Sequence, residues 1–338
     1  MGFDRDDPTD PKTGLVKIKK IPEPKTKDRQ DCYVADTLNP RKRKNNIYEA
    51  VLAPGCATLL PVIVSIDGTT SMRKTPLPLQ EYLHKMFETL TLQGVDCPNI
   101  MVMCHDDELA IPPDAAFQMS DFEKNEVSLC RTVHEIDLPL CGGNNKGEAY
   151  HLSFYAAAHH TRFEAKEKGF FFIIGDEEPY YNAGDPSKFG TSPEIAKEIF
   201  GDVLEKEVPM LESVKKTVEK YHVFIIRPAH TNNGQTQKIT KAWQKLLELA
   251  GENPDNVLEV ADTIAVNPVI AFSICITRGG DLNKLETILK GQGVKHFCST
   301  KAAVANLTAQ KTPDGASKTP VCEAAKPAPK KTGAKKGS

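Results

Sequence analysis

The chain lacks the marks of several common protein classes. It has nine cysteines, an odd number, and none forms a Cys-x-x-Cys pair. That disfavours a disulfide framework and points to reduced thiols in a cytoplasmic protein. Cys104 and Cys275 lie in apolar stretches, where cysteine serves as a small core residue. No apolar run approaches the ~20 residues that a membrane span requires. The opening Met-Gly-Phe-Asp-Arg-Asp-Asp contains no apolar signal region, and the residues after Gly2 do not suit myristoylation. Formal net charge is only -2, so whole-molecule attraction to nucleic acid or to a membrane surface is weak. No Gly-Lys-Ser/Thr follows a glycine turn, which disfavours a phosphate loop and an NTPase. There is no internal repeat.

What is present is a core-forming composition: 40% of the 338 residues are apolar. That suits one large domain with extensions, or two small domains. Residues 1–57 read as an N-terminal extension, rich in Pro, Lys, Asp and Arg, with Leu15 to Ile18 as a possible edge strand. Arg41-Lys42-Arg43-Lys44 could bind phosphate or act as a targeting signal; a solvated charged turn is the favoured reading. Residues 58–305 alternate strand and helix. Continuous apolar strands are expected at 60–66, 99–104, 170–174, 222–226 and 257–260. Helices are expected over 77–93, 148–166, 193–220, 235–250 and 268–277, with Ser192-Pro193 opening the third of these. This alternation predicts an α/β fold, a Rossmann-like, doubly wound, mostly parallel sheet with helices on both faces. Residues 306–338 form a basic tail. From 311 onward it holds seven Lys, two acids and no aromatic residue, a composition expected to remain disordered. Such a tail could touch nucleic acid or an acidic partner, and solubility explains it about as well.

The most informative stretch is Val62-Ile-Val-Ser-Ile-Asp67-Gly-Thr69-Thr-Ser71. A strand buried on both faces ends in a carboxylate and two hydroxyls spaced by two. Open α/β sheets place their ligand sites at that C-terminal edge. Three hard oxygen donors suit a small hard cation. A second buried strand ends in Ile174-Gly175-Asp176, and a third ends in His105-Asp106-Asp107-Glu108, which adds negative potential. If these strands are neighbours, Asp67, Thr69, Ser71 and Asp176 could surround one cation.

Asp67-Gly68-Thr69-Thr70-Ser71 resembles the Asp-x-Thr/Ser-x-Ser motif of the von Willebrand factor A (vWA) family, and Asp176 falls in the order that family uses. The resemblance covers roughly residues 58–280. It implies a metal-ion-dependent adhesion site (MIDAS) binding Mg²⁺ or Mn²⁺. Carried over, Asp67, Thr69 and Ser71 supply the first loop and Asp176 the third. The second loop usually offers a threonine; here Gly142-Gly143-Asn144 places Asn144 there. The loop from Gly142 to Glu148, followed by Ala149-Tyr150, and the Gly175-Asp176-Glu177 variant look most like intracellular bacterial and phage members. The resemblance then implies a non-catalytic adaptor or assembly component, docking a protein partner whose carboxylate completes the metal site, with an AAA+ ATPase as one such partner.

Other readings compete. Ser65-Ile66-Asp67-Gly68-Thr69 also resembles the first motif of haloacid-dehalogenase-like phosphatases, which would make a Mg²⁺-dependent phosphoesterase. That chemistry needs a carboxylate nucleophile where this chain has Ser65. A third reading keeps the fold as a scaffold with a degenerate site, Asp67 acting only as a helix cap or turn residue. His159 and His160 are adjacent and cannot chelate as an i,i+4 pair would, so they read as structural. His230, on the same rim as Asp67, reads as a loop residue.

Overall fold

The computed structural model describes residues 32, 34–43, 46–72, 83–108, 111–138, 148–179, 187–228, 233–261, 263–294 and 297–309. Among these, ten strands are labelled in chain order: β1 (Tyr48–Ala50), β2 (Leu59–Asp67), β3 (Cys97–His105), β4 (Phe117–Met119), β5 (Thr161–Phe163), β6 (Gly169–Ile174), β7 (Gly190–Thr191), β8 (Val208–Pro209), β9 (Tyr221–Pro228) and β10 (Val257–Val260). The longer helices are α1 (Met86–Leu92), α2 (Glu126–Glu135), α3 (Tyr150–His159), α4 (Met210–Lys220), α5 (Asn233–Ala250), α6 (Val266–Arg278) and α7 (Leu282–Gly291).

The central sheet runs in the order β10-β9-β6-β2-β3-β4. All its pairings are parallel except β3 with the edge strand β4. The chain builds outward from β2 to β3 and β4, then returns to the other side of β2 with β6, β9 and β10. The reversal falls between β2 and β6, the kind of crevice where open α/β sheets bind ligands. This is the mostly parallel sheet expected from the alternating pattern.

Side-chain alternation divides the interior into two layers, because successive strand residues face opposite sides of a sheet. Val62, Val64 and Ile66 of β2 join Ile100 and Val102 of β3, Phe172 of β6 and Phe224 of β9 in one core, against α1, α6 and α7. Ile63 of β2, Met101 and Met103, Phe171 and Ile173, and Val223 and Ile225 join the other, against α3, α4 and α5. Every position of β2 and β3 is buried. A strand covered on both faces needs no polar alternation, which is why these segments read as continuous apolar runs.

Several boundaries differ from the sequence expectations. The helix expected over 148–166 ends at His159. The chain then enters β5, which pairs in parallel with β1; the β-branched Thr161 suits that strand and sends its hydroxyl back to the Ala157 carbonyl at 2.6 Å. The helix expected over 193–220 is two pieces. Ser192 caps the first, accepting the Ile195 N–H at 3.3 Å with Pro193 behind it. The wide turn Ala196–Phe200 then stops at Gly201, whose φ of 77° is a left-handed conformation that glycine adopts freely. Helix α4 begins after Pro209. Of the helix expected over 77–93, the regular α-helical part is Met86–Leu92, after a 3-10 turn at Leu83–Lys85; residues 73–82 lie outside the described residues.

Part of the N-terminal extension is built into the domain. Leu38, Tyr48 and Ala50 are buried, and Leu38 O accepts the Met119 N–H at 2.9 Å. Two of the described residues in the basic run at 41–44 are paired with acids. Lys42 pairs with Asp36 at 2.5 Å, Arg43 pairs with Asp121, and the Arg43 guanidinium sits 4.4 Å from the Tyr48 ring centre. The Leu15–Ile18 stretch, Lys44 and the tail from 310 onward lie outside the described residues.

Candidate metal centre

Asp67 ends β2 and is completely buried. Its Oδ1 accepts the Thr69 N–H at 2.9 Å and the Thr69 hydroxyl at 2.6 Å. Thr69 Oγ1 lies 3.2 Å from Ser71 Oγ. Ser71 Oγ donates to Asp176 Oδ1 at 2.9 Å, bridging 105 residues of chain. Four oxygens thus form a continuous row from the first loop to the third. The row runs outward: Asp67 and Thr69 are buried, Asp176 is half-buried and Ser71 is exposed.

The sheet explains this convergence. β2 and β6 are paired neighbours, so their C-terminal turns lie side by side. Gly68 N–H donates to His105 O of β3 at 2.7 Å, and Gly175 N–H to Ile226 O of β9 at 3.2 Å. Each loop is therefore anchored to the strand beyond it. The structure brings together four of the five residues proposed as ligands: Asp67, Thr69, Ser71 and Asp176. Asn144 lies outside the described residues, as does His230.

The donor set fits a small hard cation. All four donors are hard oxygens, the class a small hard cation takes, and hydrogen bonds of 2.6, 3.2 and 2.9 Å hold them next to one another. Burial first, and the neighbouring Asp176 carboxylate second, push the Asp67 pKa up to about 7. Two carboxylates held this way favour a compensating cation or proton. Among the described residues no group of three or more His, Cys, Asp or Glu side chains is placed to hold a metal, so a metal here depends on the hydroxyls of Thr69 and Ser71.

Sequence reasoning did not single out the side chains behind this row. Tyr150, at the start of α3, donates its hydroxyl to Asp67 Oδ2 at 2.9 Å and receives the Glu177 N–H at 3.4 Å. It therefore ties the first loop to the third. Its ring meets His105 edge-on at 4.7 Å and Trp243 at 5.0 Å. Trp243 Nε1–H donates to Glu177 O at 2.9 Å. Gly175 is required here: a Cβ at that position would stand 2.1 Å from the Tyr150 hydroxyl. A tyrosine in an apolar helix carries no sequence mark of this role; the glycine before Asp176 is the only hint.

The acidic stretch after β3 does not form an exposed rim. Asp106, Asp107 and Glu108 are buried. Glu148, also buried, has its carboxyl pushed up to about 11, by burial first and then by Asp67, Asp107, Asp106 and Asp176. His151 Nε2 lies 3.9 Å from Glu108 Oε1, but burial drives the His151 pKa down to about 3, so this contact is not an ion pair at neutral pH.

Ser65, at the nucleophile position of the phosphatase motif, faces the interior. Its hydroxyl lies 3.2 Å from His105 Nδ1 and 2.7 Å from Ser153 Oγ, and the serine is fully buried. His160 is structural, as expected: Nδ1 faces Asn46 O at 2.7 Å and Nε2 faces Asp202 Oδ2 at 2.9 Å. His159 stacks on Tyr155 at 4.6 Å.

No family model matches the chain, and no curated protein matches it. Solved structures do. The pilus adhesin SpaC from Lactobacillus rhamnosus GG, in its open conformation, is similar at 11% identity and a TM-score of 0.45 over 65% of this chain and 30% of SpaC. Proximal thread matrix protein 1 from the mussel byssus, with a zinc-occupied MIDAS motif, is similar at 11% identity and a TM-score of 0.41 over 64% of this chain and 47% of that one. The vWF domain of the type V pili tip protein Mfa5 from Porphyromonas gingivalis is similar at 13% identity and a TM-score of 0.40 over 65% of this chain and 96% of that one. The chain spans less than a third of the adhesin's length. At these identities and TM-scores the likenesses carry no information on function. The chain is an α/β protein with a mostly parallel sheet, helices on both faces and a row of four oxygen donors at the sheet's reversal point.

Proposed function

We propose that this chain is a metal-dependent protein-binding module of vWA type, with Mg²⁺ or Mn²⁺ held by Asp67, Thr69, Ser71 and Asp176. One observation carries this reading: two carboxylates from neighbouring strand ends are joined through two hydroxyls, at the crevice where the sheet reverses. A bound divalent cation would supply a Lewis-acidic position for an incoming carboxylate. The residues themselves orient and bury one side of the site. Thr69 and Tyr150 hold the Asp67 carboxylate, while exposed Ser71 and half-buried Asp176 face the approach of a partner. A protein partner offering an Asp or Glu side chain fits that open side, and an AAA+ ATPase or a larger assembly is the partner class drawn from the family resemblance. We place the protein in the cytoplasm on its odd number of cysteines, none of them in a Cys-x-x-Cys pair. Among the described residues, no helix is long and apolar enough to cross a membrane.

A non-catalytic role goes with this reading. The fully buried Ser65, turned toward His105 and Ser153, supports it over a phosphoesterase, because an attacking group must reach a phosphoester. The second reading is a scaffold in which Asp67 only shapes its turn. The Asp67 Oδ1 contact to the Thr69 N–H is what such a turn would use. A turn alone does not account for Asp176 at the far end of the row.

Thermal unfolding of the wild type and Asp67→Ala, titrated with Mg²⁺ or Mn²⁺, tests the proposal. Metal at about 100 times its Kd should stabilise the wild type by about 2.7 kcal/mol and leave the variant unmoved. A wild type indifferent to metal would leave the scaffold reading. Phosphoester turnover that disappears in Asp67→Ala would replace the binding module with an enzyme.

A further inference from the structure

At the opposite edge of the sheet, two cysteines line one open cavity of about 400 Å³. Cys56 closes the turn that leads into β2, its N–H donating to Ala53 O at 3.1 Å. Cys97 is the first residue of β3. The contacts interlock. Cys56 Sγ donates to the carbonyl of Asp96, the residue just before Cys97, at 3.5 Å. Ala53 N–H, at the other end of the Cys56 turn, points at Cys97 Sγ from 3.3 Å. The Asn99 amide lies 3.4 Å from the same sulfur, and Cys97 Sγ lies 3.8 Å from Val51 O. Cys97 is thus fixed from three directions. Burial, then the neighbouring Cys97 and Asp96, raise the Cys56 thiol above its usual range. Cys56 is partly exposed to the cavity, whereas Cys97 is buried. Phe87, Leu92 and Pro98 form much of the remaining wall.

We propose that Cys56 and Cys97 form a thiol-exchange site that takes small-molecule disulfides and closes to an intramolecular disulfide. The asymmetry assigns the order of events. Cys56, open to the cavity, loses its proton to solvent and attacks one sulfur of the incoming disulfide. That sulfur–sulfur bond breaks, and the first small thiol leaves after taking up a proton. Cys97 then attacks Cys56 Sγ, the mixed disulfide breaks, and the second small thiol leaves with a proton. The two protein thiols are oxidised by two electrons, and the reagent disulfide is reduced to two thiols. Closure would pin the turn at 53–56 to the start of β3 and shut one end of the cavity. The site is independent of the metal reading, since it lies at the N-terminal ends of β2 and β3.

The test uses the full chain, purified reduced and treated with glutathione disulfide, followed by intact-mass measurement and peptide mapping without reduction. The wild type should lose the mass of two hydrogens and yield a Cys56–Cys97 linked peptide. Cys97→Ser should instead hold a stable glutathione adduct on Cys56, and Cys56→Ser should react more slowly at position 97. A wild type that keeps a glutathione adduct on Cys56 with no linked peptide would overturn the proposal. So would linkage of Cys56 to another cysteine. Because Cys56 is partly exposed, Cys56→Ser keeps the test usable if Cys97→Ser folds poorly.

Discussion

Tyr150 donates its hydroxyl to Asp67 Oδ2 at 2.9 Å, across 83 residues of chain. The contact reaches from the start of α3 to the end of β2, and from the same oxygen onward to the Glu177 N–H. A buried carboxylate with both oxygens engaged cannot swing freely, so its direction is set before any ligand arrives. Removing the hydroxyl alone tests this. Tyr150→Phe keeps the ring against His105 and Trp243 but leaves Asp67 Oδ2 without this donor. The variant should lose about 1–3 kcal/mol, read from urea unfolding in the presence of a chelator. An unchanged midpoint would mean that Asp67 is held by Thr69 alone.

Gly175→Ala should be more damaging than a loop substitution normally is. The new methyl would press on the Tyr150 hydroxyl at 2.1 Å and on two ring carbons at 2.6 Å. Overpacking of this kind costs about 1–3 kcal/mol. In the Tyr150→Phe background the cost should shrink, because the nearest clashing atom is gone; the double-mutant cycle reads that coupling. Gly291→Ala, with no atom near its added methyl, is the control and should be neutral or slightly stabilising.

Acid should weaken the fold through buried histidines, and His84 is one that takes no part in the row of oxygen donors. Burial lowers its pKa from 6.5 to about 4. Between those values the unfolded chain binds the proton and the folded chain does not, so stability rises with pH across that window and is lost as pH falls through it. The buried carboxyls Glu108 and Glu148, held above their usual range, act in the opposite direction. The informative quantity is therefore the difference between wild type and His84→Leu. The variant should lose less stability than wild type between pH 7 and pH 4.5, by chemical unfolding at each pH. Parallel curves would remove His84 from the account.

Asp202 is a junction. Its Oδ2 accepts from Tyr155 at 2.6 Å and faces His160 Nε2 at 2.9 Å, while Oδ1 takes the Asn46 amide at 3.2 Å. Both ring nitrogens of His160 face oxygens, Nδ1 the Asn46 carbonyl at 2.7 Å and Nε2 Asp202 Oδ2 at 2.9 Å. Asp202→Asn removes the negative charge and offers an amide donor where Tyr155 and Asn46 already donate. A loss of about 2–3 kcal/mol is expected, with faster proteolysis in the loop after Gly201. Equal stability would show that the contacts are replaceable by solvent.

The strands around the site were legible because burial on both faces demands unbroken apolar runs, and 60–66, 99–104 and 170–174 all satisfy that demand. Asp67 was legible because a carboxylate directly after such a run is costly unless it is used. The strand order followed less directly: only the pairing of β2 with β6 makes Asp176 a neighbour of Ser71. Helix ends were the weakest inference. His159, His160 and Thr161 favour a helix less than Ala156 to Ala158 before them, but such preferences are weak, and it is the pairing of Thr161 with Tyr48, a contact 113 residues away in sequence, that ends α3. Tyr150 was hidden for the same reason. Its role arises from what stands opposite it, and nothing in its own neighbourhood announces that.

The alternation along β2 has a consequence beyond packing. Ile63, Ser65 and Asp67 share one side of the strand, and Val62, Val64 and Ile66 share the other. A slip of β2 by one residue would exchange the two sets. It would turn Asp67 away from Tyr150 at the same moment that it pushed mismatched side chains into both cores. Misaligned chains therefore lose the row of oxygen donors together with their stability, so an intact row reports a β2 that is in register.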